Sequence, residues 1–286
     1  MIGFLRKLGF LLKEKKVIYL VDSEKDINFL ILSLKKEKIV GIDTEFDWRN
    51  TYFPKLSLIQ ISTKREIFLV DCLKGLDLSF LKNILESDKL IIFHSARSDS
   101  TVLKTNLNIE IKKSFDIQIA EKIMRGGNLK GYSSIVSHYF LINLDKSETN
   151  SNWLKRPLSE AQKSYASNDV LFLIDIFKKQ KKELIKKHLY DQVIDLSNKE
   201  TFLGSRSLKS MRLKKQGKKL SKRKRQIFLW REEIAESENV PPNFIFKDKF
   251  LKTLSDLDPE DKEAKIKIMK ILGDSRLTNI FMSENL

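Results

Sequence analysis

Three short apolar segments follow one another with little chain between them: Ile39 to Phe46, Leu56 to Ser62 and Glu66 to Asp71. Each is β-branched or apolar, each has the length of a strand, and turn-compatible residues separate them. The connection Thr63-Lys64-Arg65 is so brief that the last two segments must form a hairpin. A helical pattern follows through Leu78, Leu81, Ile84 and Leu85, then an apolar strand at Leu90 to Phe93, then helical spacing from Arg97 through Leu107. Antiparallel pairing thus gives way to β-α-β alternation, an order that suits an α/β fold with a mixed sheet flanked by helices. Further helices are expected from Ile117 to Arg125, closed by Gly126-Gly127, and from Tyr132 to Tyr139. A stronger one begins near Ser159, which makes a capping box with Gln162 just after Pro157, and runs well past Phe177.

With 286 residues the chain can bury a substantial core and a smaller second one. Between Thr201 and Trp230 there is no acidic residue, while lysines and arginines accumulate from Lys209 through Lys218 and Lys219 to Arg225. The domain junction is placed there, with 1–205 as the α/β domain, 206–220 as a basic linker and 221–286 as a small all-α helical domain broken at Pro241-Pro242. The formal net charge of +16 exceeds what solubility requires and points to a polyanionic partner such as nucleic acid. The competing reading is a drift of surface lysines without function, and for the basic stretch a solvated linker.

The single cysteine, Cys72, excludes a disulfide framework and a cysteine zinc site, and fits a reducing cytosol. The opening Met1 to Leu12 is apolar, but Arg6 and Lys7 interrupt it and no small-residue cleavage site follows. No later run has the length to cross a bilayer, so a cytoplasmic protein with no membrane partner is expected. His138 and His188 lack the spacing of a zinc site. Gly126-Gly127-Asn128 follows a helix and lacks the lysine-serine ending of a phosphate loop.

In Ile42-Asp43-Thr44-Glu45-Phe46 two carboxylates stand two residues apart on an apolar strand, so both project from one sheet face. Like charges there repel unless something binds them, and a hard divalent cation with its preference for oxygen is the natural partner. Asp99 follows the strand that ends at Phe93, where capping of the next helix is the simpler reading. Tyr165 and Asp169 lie four residues apart and share a helix face. None of these is specific by itself; the ordered combination is.

That combination resembles the three exonuclease motifs of the DEDD exonuclease superfamily, tyrosine subtype, and within it the ribonuclease D family. The likeness extends to Tyr52-Phe53-Pro54, Leu58-Ile59-Gln60, Phe115-Asp116, Leu144-Asp145-Lys146-Ser147-Glu148 and Trp153 through Leu158. It departs at Ser98 and Asn152, where the family commonly carries acids. The segments Phe228 to Ala235, Asn239 to Pro241 and Phe244 to Asp248 resemble the helical HRDC domain that follows the nuclease in that family.

The resemblance implies a ribonuclease-H-like sheet and two Mg²⁺ or Mn²⁺ ions held by Asp43, Glu45, Asp99 and Asp169, with Tyr165 directing the attacking water. It implies 3′-to-5′ trimming of RNA to nucleoside 5′-monophosphates, with tRNA precursors carrying 3′ extensions as the partner; a monomer is expected. Lys146, Trp153 and Arg156 cluster before the capped helix, where they could grip a phosphate or stack on a base. Loop packing is the alternative for Trp153. His94 is read as a structural histidine that could approach the substrate. Two rivals stand beside this reading: a DNA exonuclease on the same fold, and a catalytically silent RNA-binding protein.

Overall fold

β-branched and apolar runs set the sheet. The structure, a computed structural model, describes residues 16–216, 220–258, 261 and 263–284. The apolar opening stretch, and Lys218 and Lys219 of the basic run, lie outside the described residues. Among the described residues six strands occur in chain order: β1 (Val17–Val21), β2 (Ile39–Asp47), β3 (Lys55–Ser62), β4 (Glu66–Asp71), β5 (Leu90–Phe93) and β6 (Ser114–Asp116). They lie side by side as β1-β4-β3-β2-β5-β6. β2, β3 and β4 pair antiparallel, and β1, β5 and β6 join parallel.

The chain divides into two compact units. The first unit, Met1–Asp47 with Lys55–Ser205, carries this sheet. Its helices are α1 (Glu24–Lys36), α2 (Phe80–Leu85), α3 (Arg97–Leu107), α4 (Ile117–Arg125), α5 (Tyr132–Phe140), α6 (Glu160–Leu171), α7 (Leu173–Lys186) and α8 (Tyr190–Gly204). Alternation along β2 sends Val40 and Ile42 into one core, shared with Leu30, Leu81 and Val102. Gly41, Asp43 and Glu45 face the other way, toward the core of Phe115, Val170 and Phe177. A Cβ on Gly41 would stand 3.0 Å from the Cβ of Leu173, so the missing side chain lets α7 approach β2 closely beside the acidic pair.

The helix expected to run unbroken past Phe177 is two helices. At Phe172 the backbone N–H donates to the buried Tyr132 hydroxyl at 3.1 Å, and α7 starts afresh at Leu173. The capping box at Ser159 forms as the sequence indicates.

The second unit comprises Trp48–Pro54 together with Arg206–Leu286. Its helices are α9 (Leu208–Lys215), α10 (Lys222–Ser237), α11 (Pro242–Ile245), α12 (Phe250–Asp256), α13 (Ala264–Leu272) and α14 (Ser275–Ser283). Phe228, Trp230, Leu254, Ile268 and Phe281 form its core, and Tyr52 joins them with no exposed surface. The Tyr52 hydroxyl donates to the buried Glu232 at 3.3 Å, and Arg212 caps both, 3.0 Å from that carboxylate and 4.4 Å over the Tyr52 ring. Two corrections follow. The stretch expected as a linker, 206–220, holds a helix with a buried Leu208, because Arg212 has an ion-pair partner that composition does not reveal. The segment 48–54, expected within the first domain, is part of the helical unit because Tyr52 is buried in its core and Trp48 and Phe53 pack against that core. Among the described residues no helix is long and apolar enough to cross a membrane.

Candidate active site

Strand and helix geometry bring the acids together from distant stretches. Asp43 and Glu45 project from one face of β2, while Tyr165 and Asp169 occupy one face of α6. Carboxylate oxygens of Asp43, Glu45 and Asp169 lie within 4.8 Å of one another. Asp99 enters from the first turn of α3 and is 4% exposed. It does not serve as the helix cap that the simpler reading assigns to it. No side chain caps α3, and Asp116 accepts from the N–H groups of Ser95 and Ala96, just ahead of the helix, at 3.1 and 2.9 Å. Asp99 is therefore free to accept a hydrogen bond from the Thr44 hydroxyl at 2.7 Å and to share one with Asp43.

Burial and like charge make this cluster hostile to its own ionisation. Burial, then the nearby Asp169 carboxyl, hold Asp43 well above the usual carboxylate range. Glu45 is pushed up to about 10 by burial and by Asp43, Asp169 and Asp99. Asp99 is raised by burial and by Asp43, and Asp169 is pushed up to about 7 by burial and by Asp99. Four carboxyls that resist charging one another, three of them with oxygens close enough to share a ligand, fit hard divalent cations. Burial lifts the Tyr165 phenol to about 12, so it is a neutral hydrogen-bonding group at physiological pH.

Asp43, Glu45, Tyr165 and Asp169 open on a cavity of about 370 Å³ that His94, Tyr132, Lys146 and Thr149 also line. His94 keeps one ring nitrogen 3.0 Å from the Lys130 carbonyl and rests against the Tyr132 ring, in agreement with its structural reading, yet it borders the cavity. Lys146 is exposed and has no ion-pair partner among the described residues. Trp153 and Arg156 have other tasks than the expected grip on substrate. Arg156 forms a two-pronged pair with the buried Asp71, 2.7 Å on each prong, and spends its remaining donors on the carbonyls of Trp153, Lys155 and Ser57. With all its N–H groups bound inside the fold, none is left for a phosphate. Trp153 is 4% exposed and backs the Tyr165 ring at 5.9 Å between centroids.

Two positioning side chains escaped the sequence reading. Thr44, between the two strand acids, points to the opposite face and fixes Asp99. Gln60, Asp43's partner across β3, donates to Glu45 at 3.5 Å from a fully buried position. Its signal was available: an amide amid Leu58, Ile59 and Ile61, on a strand hairpinned to the next, needs a polar neighbour.

A 3′-5′ exonuclease family model matches residues 18–185, and an HRDC domain model matches residues 221–273. Ribonuclease D of Gluconacetobacter diazotrophicus is 31% identical over 265 residues, covering 90% of this chain and 67% of that protein. Ribonuclease D of Desulfotalea psychrophila is also 31% identical, covering 85% of this chain and 68% of its own. Among solved structures, Escherichia coli RNase D superposes with a TM-score of 0.82 at 22% identity, covering 94% of this chain and 75% of that one. The catalytic core of RRP6 from Trypanosoma brucei gives 0.68 at 22% identity, covering 95% and 81%. These two share the fold, and the sheet is accordingly of the ribonuclease-H-like type. With motifs, fold and relatives in accord, the chain belongs to the ribonuclease D family of 3′-5′ exoribonucleases.

Proposed function

We propose that the protein trims single-stranded RNA from its 3′ end with two Mg²⁺ or Mn²⁺ ions, releasing nucleoside 5′-monophosphates, and that it acts as a monomer on tRNA precursors with 3′ extensions. The observation that carries this reading is the meeting of Asp43, Glu45 and Asp169 oxygens within 4.8 Å, with Asp99 hydrogen-bonded beside them. Asp43, Glu45, Asp99 and Asp169 would hold the ions. When bound, such ions lower the pKa of water and stabilise charge on the attacking and leaving oxygens of a phosphodiester.

The side chains of the chain do the rest. Tyr165, neutral at working pH, orients the water through its hydroxyl rather than removing its proton as a phenolate. Trp153 and the Arg156–Asp71 pair keep the Tyr165 ring and its loop in place. Lys146, exposed on the cavity rim, contacts a backbone phosphate, and His94 borders the terminal nucleotide. The names of the relatives support RNA over DNA as the substrate.

Labelled RNA and DNA of one sequence, with free or blocked 3′ ends, in Mg²⁺, Mn²⁺ or EDTA, test the reading together. Stepwise loss of mononucleotides from RNA with a free 3′ hydroxyl, absent in EDTA and in Asp43→Asn, is expected. Preferential digestion of DNA would favour the first rival. RNA binding without turnover in either metal would favour the silent binding protein.

A further inference from the structure

The turn between β5 and α3 holds a conformation that its residues do not favour. Ser95 stands there at φ 67°, in the left-handed region that glycine enters freely and a residue with a Cβ enters at a cost. Ser95 is exposed, so packing around its side chain does not impose that conformation. Hydrogen bonds from beneath the turn do. Asp116, 2% exposed at the end of β6, accepts from the backbone N–H of Ser95 at 3.1 Å, of Ala96 at 2.9 Å and of Gln118 at 2.8 Å. Its own backbone N–H donates to the Ser197 hydroxyl at 2.9 Å, which ties the residue to α8. Three donors converge on the two oxygens of one carboxylate. An asparagine has one oxygen and would turn its NH₂ toward a donor.

The turn leads directly to the metal site. Asp99 lies in the first turn of α3, whose start has no side-chain cap. Val102 and Leu103 anchor the body of that helix in the core, but the direction in which its first turn leaves β5 is set at Ser95 and Ala96. A relaxation of Ser95 to negative φ would swing the first turn and carry Asp99 away from the Thr44 hydroxyl, now 2.7 Å from it. We propose that Asp116 is a positioning residue for the metal site: it clamps Ser95 in the left-handed conformation and thereby delivers Asp99 to the other acids. The inference rests on the exonuclease reading of the site, and Asp116 acts in it through the backbone rather than by touching an ion.

The test uses the full chain without RNA and reads Mn²⁺ binding from the free-ion electron paramagnetic resonance signal, with melting curves on every variant. Asp116→Asn is expected to weaken binding about 10- to 100-fold. Adding Ser95→Gly should recover about fivefold of that loss, since glycine holds the left-handed turn without a clamp, whereas Ser95→Gly in the parent should shift binding by less than about twofold. Ser95→Val, at an exposed position, should weaken binding about tenfold because a β-branched residue resists positive φ. In an Asp99→Asn background the same Ser95→Val change should alter the remaining affinity by less than about twofold. A Ser95→Val protein that binds Mn²⁺ as the parent does would overturn the proposal, and it decides the matter even where Asp116→Asn fails to fold. So would an Asp116→Asn protein that gains nothing from Ser95→Gly, because its loss would then be one of charge or of general stability. Equal Ser95→Val losses with Asp99 present and with Asp99→Asn would overturn it as well. A parent protein that binds no Mn²⁺ would instead remove the exonuclease reading of the acids, and the proposal with it.

Discussion

Replacing Asp169 with asparagine should stabilise the metal-free protein while destroying its activity. Asp169 is pushed up to about 7 from an ordinary 3.8 because it is buried beside Asp99. A carboxyl raised in this way contributes its stability below the unfolded-state value and loses it as pH rises through the folded-state value. Between about pH 4 and about pH 8 the wild-type nuclease unit therefore loses stability that Asp169→Asn, uncharged throughout, retains. At about 1.4 kcal/mol per pH unit the difference has a ceiling of about 4 kcal/mol, or about 8–16 °C in melting temperature for a domain of this size. The assay is thermal unfolding in EDTA at about pH 4 and about pH 8, repeated with saturating Mg²⁺. In EDTA the variant should melt several degrees above wild type at the higher pH and level with it at the lower. Mg²⁺ should raise wild type by an amount set by occupancy, about 3 kcal/mol at a hundredfold excess over Kd, and raise the variant much less. A variant that melts at or below wild type in EDTA at about pH 8, or whose advantage is independent of pH, would refute the picture of carboxyls held under mutual strain.

Gln60→Leu removes the amide that steadies Glu45 and should weaken Mg²⁺ activation about 10- to 100-fold, read as the metal concentration for half-maximal rate. Arg156→Ala strips the buried Asp71 of its partner; a loss of about 3–5 kcal/mol in denaturant unfolding is expected, larger than for any exposed lysine. Lys146→Ala should raise KM, leave kcat within about twofold and reduce the dependence of binding on salt by about one phosphate contact. Tyr52→Ala should cost the helical unit about 3–5 kcal/mol, visible as early loss of Trp230 fluorescence change in urea.

The readable parts of the molecule were those governed by local rules. Short β-branched and apolar runs marked β2 to β5, the short connection marked the β3–β4 hairpin, and Ser159 with Gln162 marked the start of α6. β1 and α1 were not read: the strand is only five residues long, Val17–Val21, and it lies at the sheet edge, fixed by parallel pairing to β4. The break at Phe172 was hidden because its cause, the Tyr132 hydroxyl, lies forty residues away in sequence. Arg156 and Trp153 read equally well as substrate contacts until Asp71 and Tyr165 were placed beside them.

Residue type and spacing by themselves determined the candidate set: the ordered combination of Asp43, Glu45, Asp99, Tyr165 and Asp169 carries the family resemblance, and periodicity puts Asp43 with Glu45 on one strand face and Tyr165 with Asp169 on one helix face. Tertiary structure decided what surrounds them. It gave Asp99 the Thr44 hydroxyl as its partner, turned Arg156 inward, and placed Trp48–Pro54 in the helical unit. The physical reason is that periodicity is a property of neighbouring residues, whereas hydrogen-bond partners and burial are settled only when distant segments compete for the same groups.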